Sequence, residues 1–102
     1  MAHRVTLDEA LLEHEDCVGR LGATVLLLEQ NRNELRNKEE ELRNWTRWRR
    51  SEFFLQNIRR ERQMILSDGL KLQGERVRLE VELEKARSNV QFLARGGKIV
   101  NL

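Results

Sequence analysis

Residues that interrupt a helix or form a disulfide are scarce in this sequence. Its 102 residues include no proline, no tyrosine, six glycines and one cysteine. Without proline and with few glycines, a helix has few places where it must stop, so we expect an almost entirely helical protein. Cys17 cannot form a disulfide within the chain, which is typical of a reducing compartment.

Long hydrophobic runs are also missing. The longest apolar stretch, residues 23–28, is interrupted by Thr24, whereas a membrane span needs about 18 consecutive apolar residues. Near the N-terminus, Asp8 and Glu9 stand where a secretion signal would have its apolar core. We therefore expect no transmembrane segment and an intracellular location, cytoplasmic or nuclear.

Residue patterns typical of catalytic or cofactor-binding sites are scarce as well. His14 and Cys17 lie three residues apart, but no further cysteine or nearby histidine completes a metal site. Gly19 and Gly22 lack the strand and helix that flank a phosphate-binding loop. We expect neither an enzyme nor a bound metal or cofactor.

A heptad repeat of leucine is the strongest pattern that is present. Leucine recurs every seventh residue from position 7 to position 42, interrupted by His14, and further aliphatic residues lie four positions later. This is typical of a coiled-coil seam with the leucines at heptad position d, and so narrow an apolar stripe needs another helix to cover it. The members of this first seam, within residues 6–42, are Leu7, Leu11, Val18, Leu21, Val25, Leu28, Leu35 and Leu42.

A second heptad repeat follows within residues 55–95 and is interrupted by Arg62, Gly69 and Arg76. It is out of phase with the first by two residues, so residues 43–54 cannot serve both stripes on one straight supercoil. The members of this second seam are Ile58, Ile65, Leu72, Leu79, Leu83, Val90 and Leu93, with Leu55 and Ala86 in the same pattern.

These repeats predict an all-α, self-associating protein of long helices with coiled-coil heptads, in one domain of residues 1–102. We expect Thr6 to cap a long helix that runs to about Ser67, with a bend at Gly69 or Gly74. The alternative is a compact three-helix bundle with breaks at residues 30–33 and 67–69.

The C-terminal residues 96–102 are predicted to lie outside the helices. Gly96 and Gly97 are expected to stop the last helix, because glycine adopts the left-handed conformation that ends helices. The short tail that follows is expected to be disordered or to dock on a neighbour.

Charge is distributed very unevenly along the chain. Residues 1–42 carry five basic and ten acidic side chains, for a net charge of −5. Residues 43–62 carry seven arginines and two acids, for a net charge of +5, and residues 63–102 have a net charge of +2. An acidic arm, a basic middle and a mildly basic tail follow one another, so a partner of opposite charge is expected at the middle.

The basic middle, residues 43–62, also holds both tryptophans. Arginine beside aromatic rings suits phosphate contact and base stacking, so this segment is a candidate nucleic-acid interface. The other interpretation is that the rings pack at a helix junction and the arginines pair with an acidic arm, of this chain or of another. The candidate contacts are Arg43, Trp45, Arg47, Trp48, Arg49, Arg50, Arg59, Arg60 and Arg62.

The function that fits these patterns best is a non-enzymatic oligomerisation or scaffold module. Its partner would be itself, as a dimer or larger, or another helical protein. Binding of double-stranded RNA or DNA is the alternative. Some viral RNA-silencing suppressors are small basic helical proteins of this kind, although no motif of such a family is present. A membrane-surface helix is disfavoured because apolar and basic residues are mixed around residues 43–62.

Overall fold

The computed structural model describes residues 2–48 and 51–101, apart from the side chains at 46–48 and 101. Strand β1 spans His3–Val5, helix α1 spans Leu7–Trp48, helix α2 spans Glu52–Ala94 and strand β2 spans Ile99–Asn101. The helices contain 42 and 43 residues. The prediction of an all-helical protein with long helices is confirmed.

Helix α1 begins where its capping residue predicts. The Glu9 backbone N–H donates to Thr6 Oγ1 at 3.2 Å, and the Ala10 N–H donates to the Thr6 carbonyl at 3.0 Å. Thr6 is therefore the N-cap, as expected from the sequence. Asp8 and Glu9 occupy the first turn, where the helix dipole favours acids.

Helix α1 ends at Trp48 and helix α2 begins at Glu52, both inside the basic middle. Ser51 caps α2, since its hydroxyl accepts the Phe54 N–H at 3.3 Å and its carbonyl accepts the Leu55 N–H at 3.1 Å. The expectation of one helix from Thr6 to about Ser67 is therefore wrong. The change of phase between the two seams falls at this break, so each seam lies on a helix of its own.

The breaks required by a three-helix bundle do not occur. Residues 30–33 lie inside α1 and residues 67–69 lie inside α2. The three-helix alternative is wrong, and α2 continues without interruption through Gly69 and Gly74. Gly69 serves a packing role instead, described below.

Helix α2 stops where the glycines predict. Gly96 has a φ of 87°, its N–H donates to the Leu93 carbonyl at 3.0 Å, and the Gly97 N–H donates to the Phe92 carbonyl at 3.0 Å. This pair of hydrogen bonds is a Schellman motif, which satisfies carbonyls that the helix end would leave unpaired. The prediction of a helix stop at these glycines is confirmed.

The folded chain consists of two compact units. Unit 1 comprises Met1–Thr24 with Arg76–Leu102, and unit 2 comprises Val25–Glu75. In each unit, a stretch of α1 lies beside a stretch of α2 that runs in the opposite direction.

Unit 1 joins the two ends of the chain. Strands β1 and β2 pair antiparallel, with His3 opposite Asn101 and Val5 opposite Ile99. The C-terminal tail therefore docks on the N-terminal strand of its own chain. Arg20 forms ion pairs with Asp16 at 3.0 Å and with Glu82 of α2 at 3.2 Å. The buried side chains of this unit are Ala10, Cys17, Thr24, Leu79 and Ala86.

Unit 2 is a helical hairpin formed by the end of α1 and the start of α2. Its buried side chains, Leu55, Ile58 and Ile65, all come from α2. The α1 stretch contributes leucines that are only half-buried, so the two helices do not contribute equally to the core. These α1 residues are Leu28, Leu35 and Leu42.

Candidate interaction surfaces

The second seam is covered within the single chain. Leu55, Ile58, Ile65, Leu79 and Ala86 are buried. The remaining members are half-buried, namely Leu72, Leu83, Val90 and Leu93. The five buried members find their packing partner in the same chain, and the half-buried members keep part of their surface accessible.

The buried side of α1 differs from the predicted first seam. Its fully buried positions, 10, 17 and 24, come three residues after positions 7, 14 and 21 of the heptad series, whereas the heptad pattern predicts the aliphatic residues four positions after. The row that turns inward consists of the buried Ala10, Cys17 and Thr24, followed by the half-buried Asn31, Lys38 and Trp45. Small and polar side chains do not mark a seam in a hydrophobicity pattern, so the sequence alone does not reveal this row.

Three aliphatic members of the first seam lie outside this buried row. Leu11, Val18 and Val25 are 45%, 48% and 47% exposed. Because they are one helical position further around α1, they flank the buried side instead of forming it. Their role in a seam between chains stays a prediction. The leucine series itself divides into an exposed Leu7 and the half-buried Leu21, Leu28, Leu35 and Leu42.

An exposed stripe in unit 1 combines these aliphatic residues with acids. Asp8, Leu11, Glu15 and Val18 follow one another at spacings of three and four, which places them on one face of α1. All four are exposed. Asp8 and Glu15 form no ion pair within the part of the chain that is described. We call these four residues the acidic stripe.

Unit 2 contains an apolar groove of about 460 Å³ between its two helices. Leu28 and Leu35 of α1 and Leu66 and Leu70 of α2 line it, and we call it the leucine groove. Leu70 is 75% exposed. The polar part of the lining consists of Asn31, Arg32, Gln63, Gly69 and Gln73.

Asn31 joins the two helices at the base of this groove. Its Nδ2 donates a hydrogen bond to the backbone carbonyl of Ile65 at 2.8 Å. A Cβ at position 69 would lie 2.6 Å from Asn31 Oδ1. Gly69 therefore gives the amide room to reach the α2 backbone.

A second groove, of about 250 Å³, lies on a different flank of α2 and has an acidic lining. It includes Glu61, Asp68 and Met64, and its one basic lining residue, Lys38, is paired with Glu61. The hydrogen bond to Glu61 raises the pKa of Lys38, and Glu41 at 3.4 Å adds to this effect. We call this surface the acidic groove.

The arginines of the basic middle divide into paired and exposed side chains. Arg62 is half-buried and forms an ion pair with Glu39 at 3.7 Å. Arg43, Arg59 and Arg60 are exposed, and none has an ion pair within the described stretches. The pairing expected with an acidic arm is therefore seen at Arg62. The remaining predicted contacts, the side chains of Arg47 and Trp48 and the whole of Arg49 and Arg50, lie outside the described residues.

Trp45 packs at the junction between the two helices. Its ring is half-buried, and the indole N–H donates to the Ser51 carbonyl at 3.1 Å. With Glu41, Asn44 and Phe54 it lines a cavity of about 340 Å³. The Trp45 ring thus takes part in closing the hairpin, which agrees with the interpretation of the aromatic residues as junction packing.

His14 and Cys17 both lie on the inner side of α1 in unit 1. Arg20 Nη2 contacts Cys17 Sγ at 3.8 Å, and the thiol is buried. Over the described residues, no group of three or more His, Cys, Asp and Glu side chains is arranged to hold a metal ion. Within the same residues, neither helix has a stretch apolar enough to cross a bilayer.

Comparison with protein-family models, curated proteins and solved structures finds no significant match to this chain.

Proposed function

We propose that this chain is a non-enzymatic helical module that associates with copies of itself and acts as a scaffold. The observation that carries the proposal is that α1 buries small side chains and leaves larger aliphatic ones exposed. The helix encloses Ala10, Cys17 and Thr24, yet leaves Leu11 and Val18 nearly half exposed. A chain that folded only for itself would gain more by burying the larger aliphatic side chains.

The apolar surface left exposed is large enough to matter. Full burial of a leucine or valine side chain contributes about 1.5 to 3 kcal/mol, so covering one that is half exposed contributes on the order of 1 kcal/mol. The row of Leu11, Val18 and Val25 alone would contribute about 3 kcal/mol on this basis. Leu70 and the other groove leucines add to it, and exposed apolar patches of this kind mark interaction surfaces.

Sedimentation equilibrium over a range of protein concentrations tests the proposal. The chain should be a dimer or larger at high concentration, and Leu11→Asn with Val18→Asn should weaken its association by about tenfold or more. The matched control is Leu12→Asn with Leu27→Asn, because these residues are 65% and 49% exposed and lie about 100° or more around α1 from Leu11. A chain that remains monomeric at every concentration contradicts the proposal.

Binding of double-stranded RNA or DNA is the second candidate function. It is favoured by the exposed Arg43, Arg59 and Arg60, which have no acidic partner within the described residues. Arginine pairs well with phosphate because its planar guanidinium can donate two parallel hydrogen bonds. The half-buried Trp45 is less suited to stack on bases, since its N–H is already bonded within the chain.

Gel-shift measurements with short duplexes at several salt concentrations separate the two candidates. If the exposed arginines contact phosphates, each single Arg→Ala change should lower the slope of log affinity against log salt by about one unit. Lys98, outside the basic middle, supplies the control substitution Lys98→Ala. Absence of binding by the parent protein at physiological salt contradicts this second function.

A further inference from the structure

We propose that the leucine groove of unit 2 binds the acidic stripe of a second copy of this chain. The inference rests on the proposed function, since it names the two surfaces through which copies would join. The occupant is an amphipathic helix face whose apolar anchors are Leu11 and Val18. The receiving surface is the groove lined by Leu28, Leu35, Leu66 and Leu70.

The acidic stripe carries apolar anchors of the kind that a groove lined by leucines can hold. Leu11 and Val18 are seven residues apart, so they project from one side of α1 two turns apart. A helix bound in a groove is held by anchors at such spacings. Both surfaces are exposed in the folded chain, and Leu70 in particular is 75% exposed. Neither helix has to unfold or open for the stripe to reach the groove.

The charges of the two surfaces are complementary. Arg32 lines the groove, Arg36 lies one turn further along the same face of α1, and Arg59 precedes Leu66 by two turns on α2. All three arginines are exposed and form no ion pair within the described parts of the chain; the acids on the same face are Glu29 and Glu40, both exposed, and Glu39, which is paired with Arg62. The acidic stripe brings two unpaired carboxylates to this positive edge, which favours the correct partner.

The acidic groove is excluded as the receiving surface by the same reasoning. Glu61 and Asp68 line it, and Lys38 is already paired with Glu61. An acidic helix placed there would meet like charges, which is unfavourable. The leucine groove therefore suits the acidic stripe and the acidic groove does not. The acidic groove serves as the matched control.

Apolar substitutions in the two grooves test the assignment. Leu70→Gln should weaken self-association in sedimentation equilibrium by about tenfold, because Leu70 would lie under the bound helix. Met64→Gln is the control, since Met64 is 61% exposed in the acidic groove. Circular dichroism of both variants should match the parent, because neither side chain belongs to the buried core.

A charge exchange between copies tests the pairing itself. Arg32→Glu with Arg36→Glu in one variant, and Asp8→Lys with Glu15→Lys in another, should each reduce self-association. Mixing the two variants should restore a complex between them, because the reversed stripe fits the reversed groove. Thr6 is kept in both, so the helix cap is unchanged.

The outcomes distinguish this inference from the function on which it rests. A parent chain that is monomeric at all concentrations overturns both. A parent chain that associates, with Leu70→Gln and Met64→Gln behaving alike and no complex on mixing the charge variants, overturns the docking inference alone. Tenfold weakening by Leu70→Gln together with restored association on mixing supports it. A monomeric chain whose binding to RNA or DNA is lost in Leu70→Gln identifies another occupant and also overturns it.

Discussion

The substitution Gly69→Ala isolates the packing of Asn31 against α2. A Cβ at position 69 would lie 2.6 Å from Asn31 Oδ1 and 3.4 Å from its Cγ. The first distance is too short for an unperturbed contact, so the Asn31 side chain must move. Because Asn31 Nδ2 is bonded to the Ile65 carbonyl at 2.8 Å, this movement breaks the hydrogen bond between the helices.

Two opposing contributions decide the size of the effect. Loss of a hydrogen bond inside a protein lowers the free energy of unfolding by about 1 kcal/mol. Replacing glycine by alanine within a helix raises it by about 1 kcal/mol. The two offset, so Gly69→Ala should change stability by less than about 1 kcal/mol in either direction. Gly74→Ala in the same helix has nothing within 4 Å of the added Cβ and should show the full gain.

Urea unfolding at one fixed protein concentration, followed by circular dichroism, measures these changes. In an Asn31→Ala background the obstruction is gone, so Gly69→Ala should stabilise by about 1 kcal/mol, as Gly74→Ala does in either background. The double-mutant cycle thus predicts coupling between positions 31 and 69 and none between 31 and 74. If Gly69→Ala stabilises the parent as much as Gly74→Ala does, the interhelical contact of Asn31 is wrong.

Two further predictions concern the ion pair of Lys38 with Glu61 and the C-terminal end of α2. Lys38 has a pKa raised above its ordinary value of 10.5 by Glu61, so its stabilising contribution is fully present below about that pH and is lost as pH rises through the higher folded value. Urea midpoints should therefore fall at alkaline pH in the parent and fall less in Lys38→Met; identical alkaline slopes would argue against the pair. Gly96→Ala places a side chain at a φ of 87° and should lower the free energy of unfolding by about 1 to 2 kcal/mol. Unchanged denaturation and unchanged amide exchange at Gly97 would exclude the Schellman motif.

The seam of α2 was predictable because its members are themselves large and apolar. Ile58, Ile65 and Leu79 mark one side of a helix in the sequence, and the same residues are buried. The inward row of α1 could not be found in this way. Thr24, Asn31 and Lys38 are enclosed because the opposite helix lies over them, and that placement depends on a partner far along the chain.

The break between the helices and the terminal ribbon show a second limit. No glycine or proline lies between the end of α1 and the start of α2, although Ser51 followed by Glu52 is a helix-start signal that could have located the start of α2. The strand Ile99–Asn101 is too short to have a readable alternation, and its partner, His3–Val5, lies at the other end of the sequence. Local patterns predict helices well but do not reveal pairings of this kind.

The pairing of β1 with β2 determines how the chain would respond to tension. Because His3 lies opposite Asn101 and the strands are antiparallel, a pull on the two ends loads the outermost pair of the ribbon first. The hydrogen bonds would then break one after another, as in a zipper, instead of sharing the load as they do in shear. Such a geometry opens at low force. In the scaffold proposed above, contacts made through the helices would leave this ribbon unloaded.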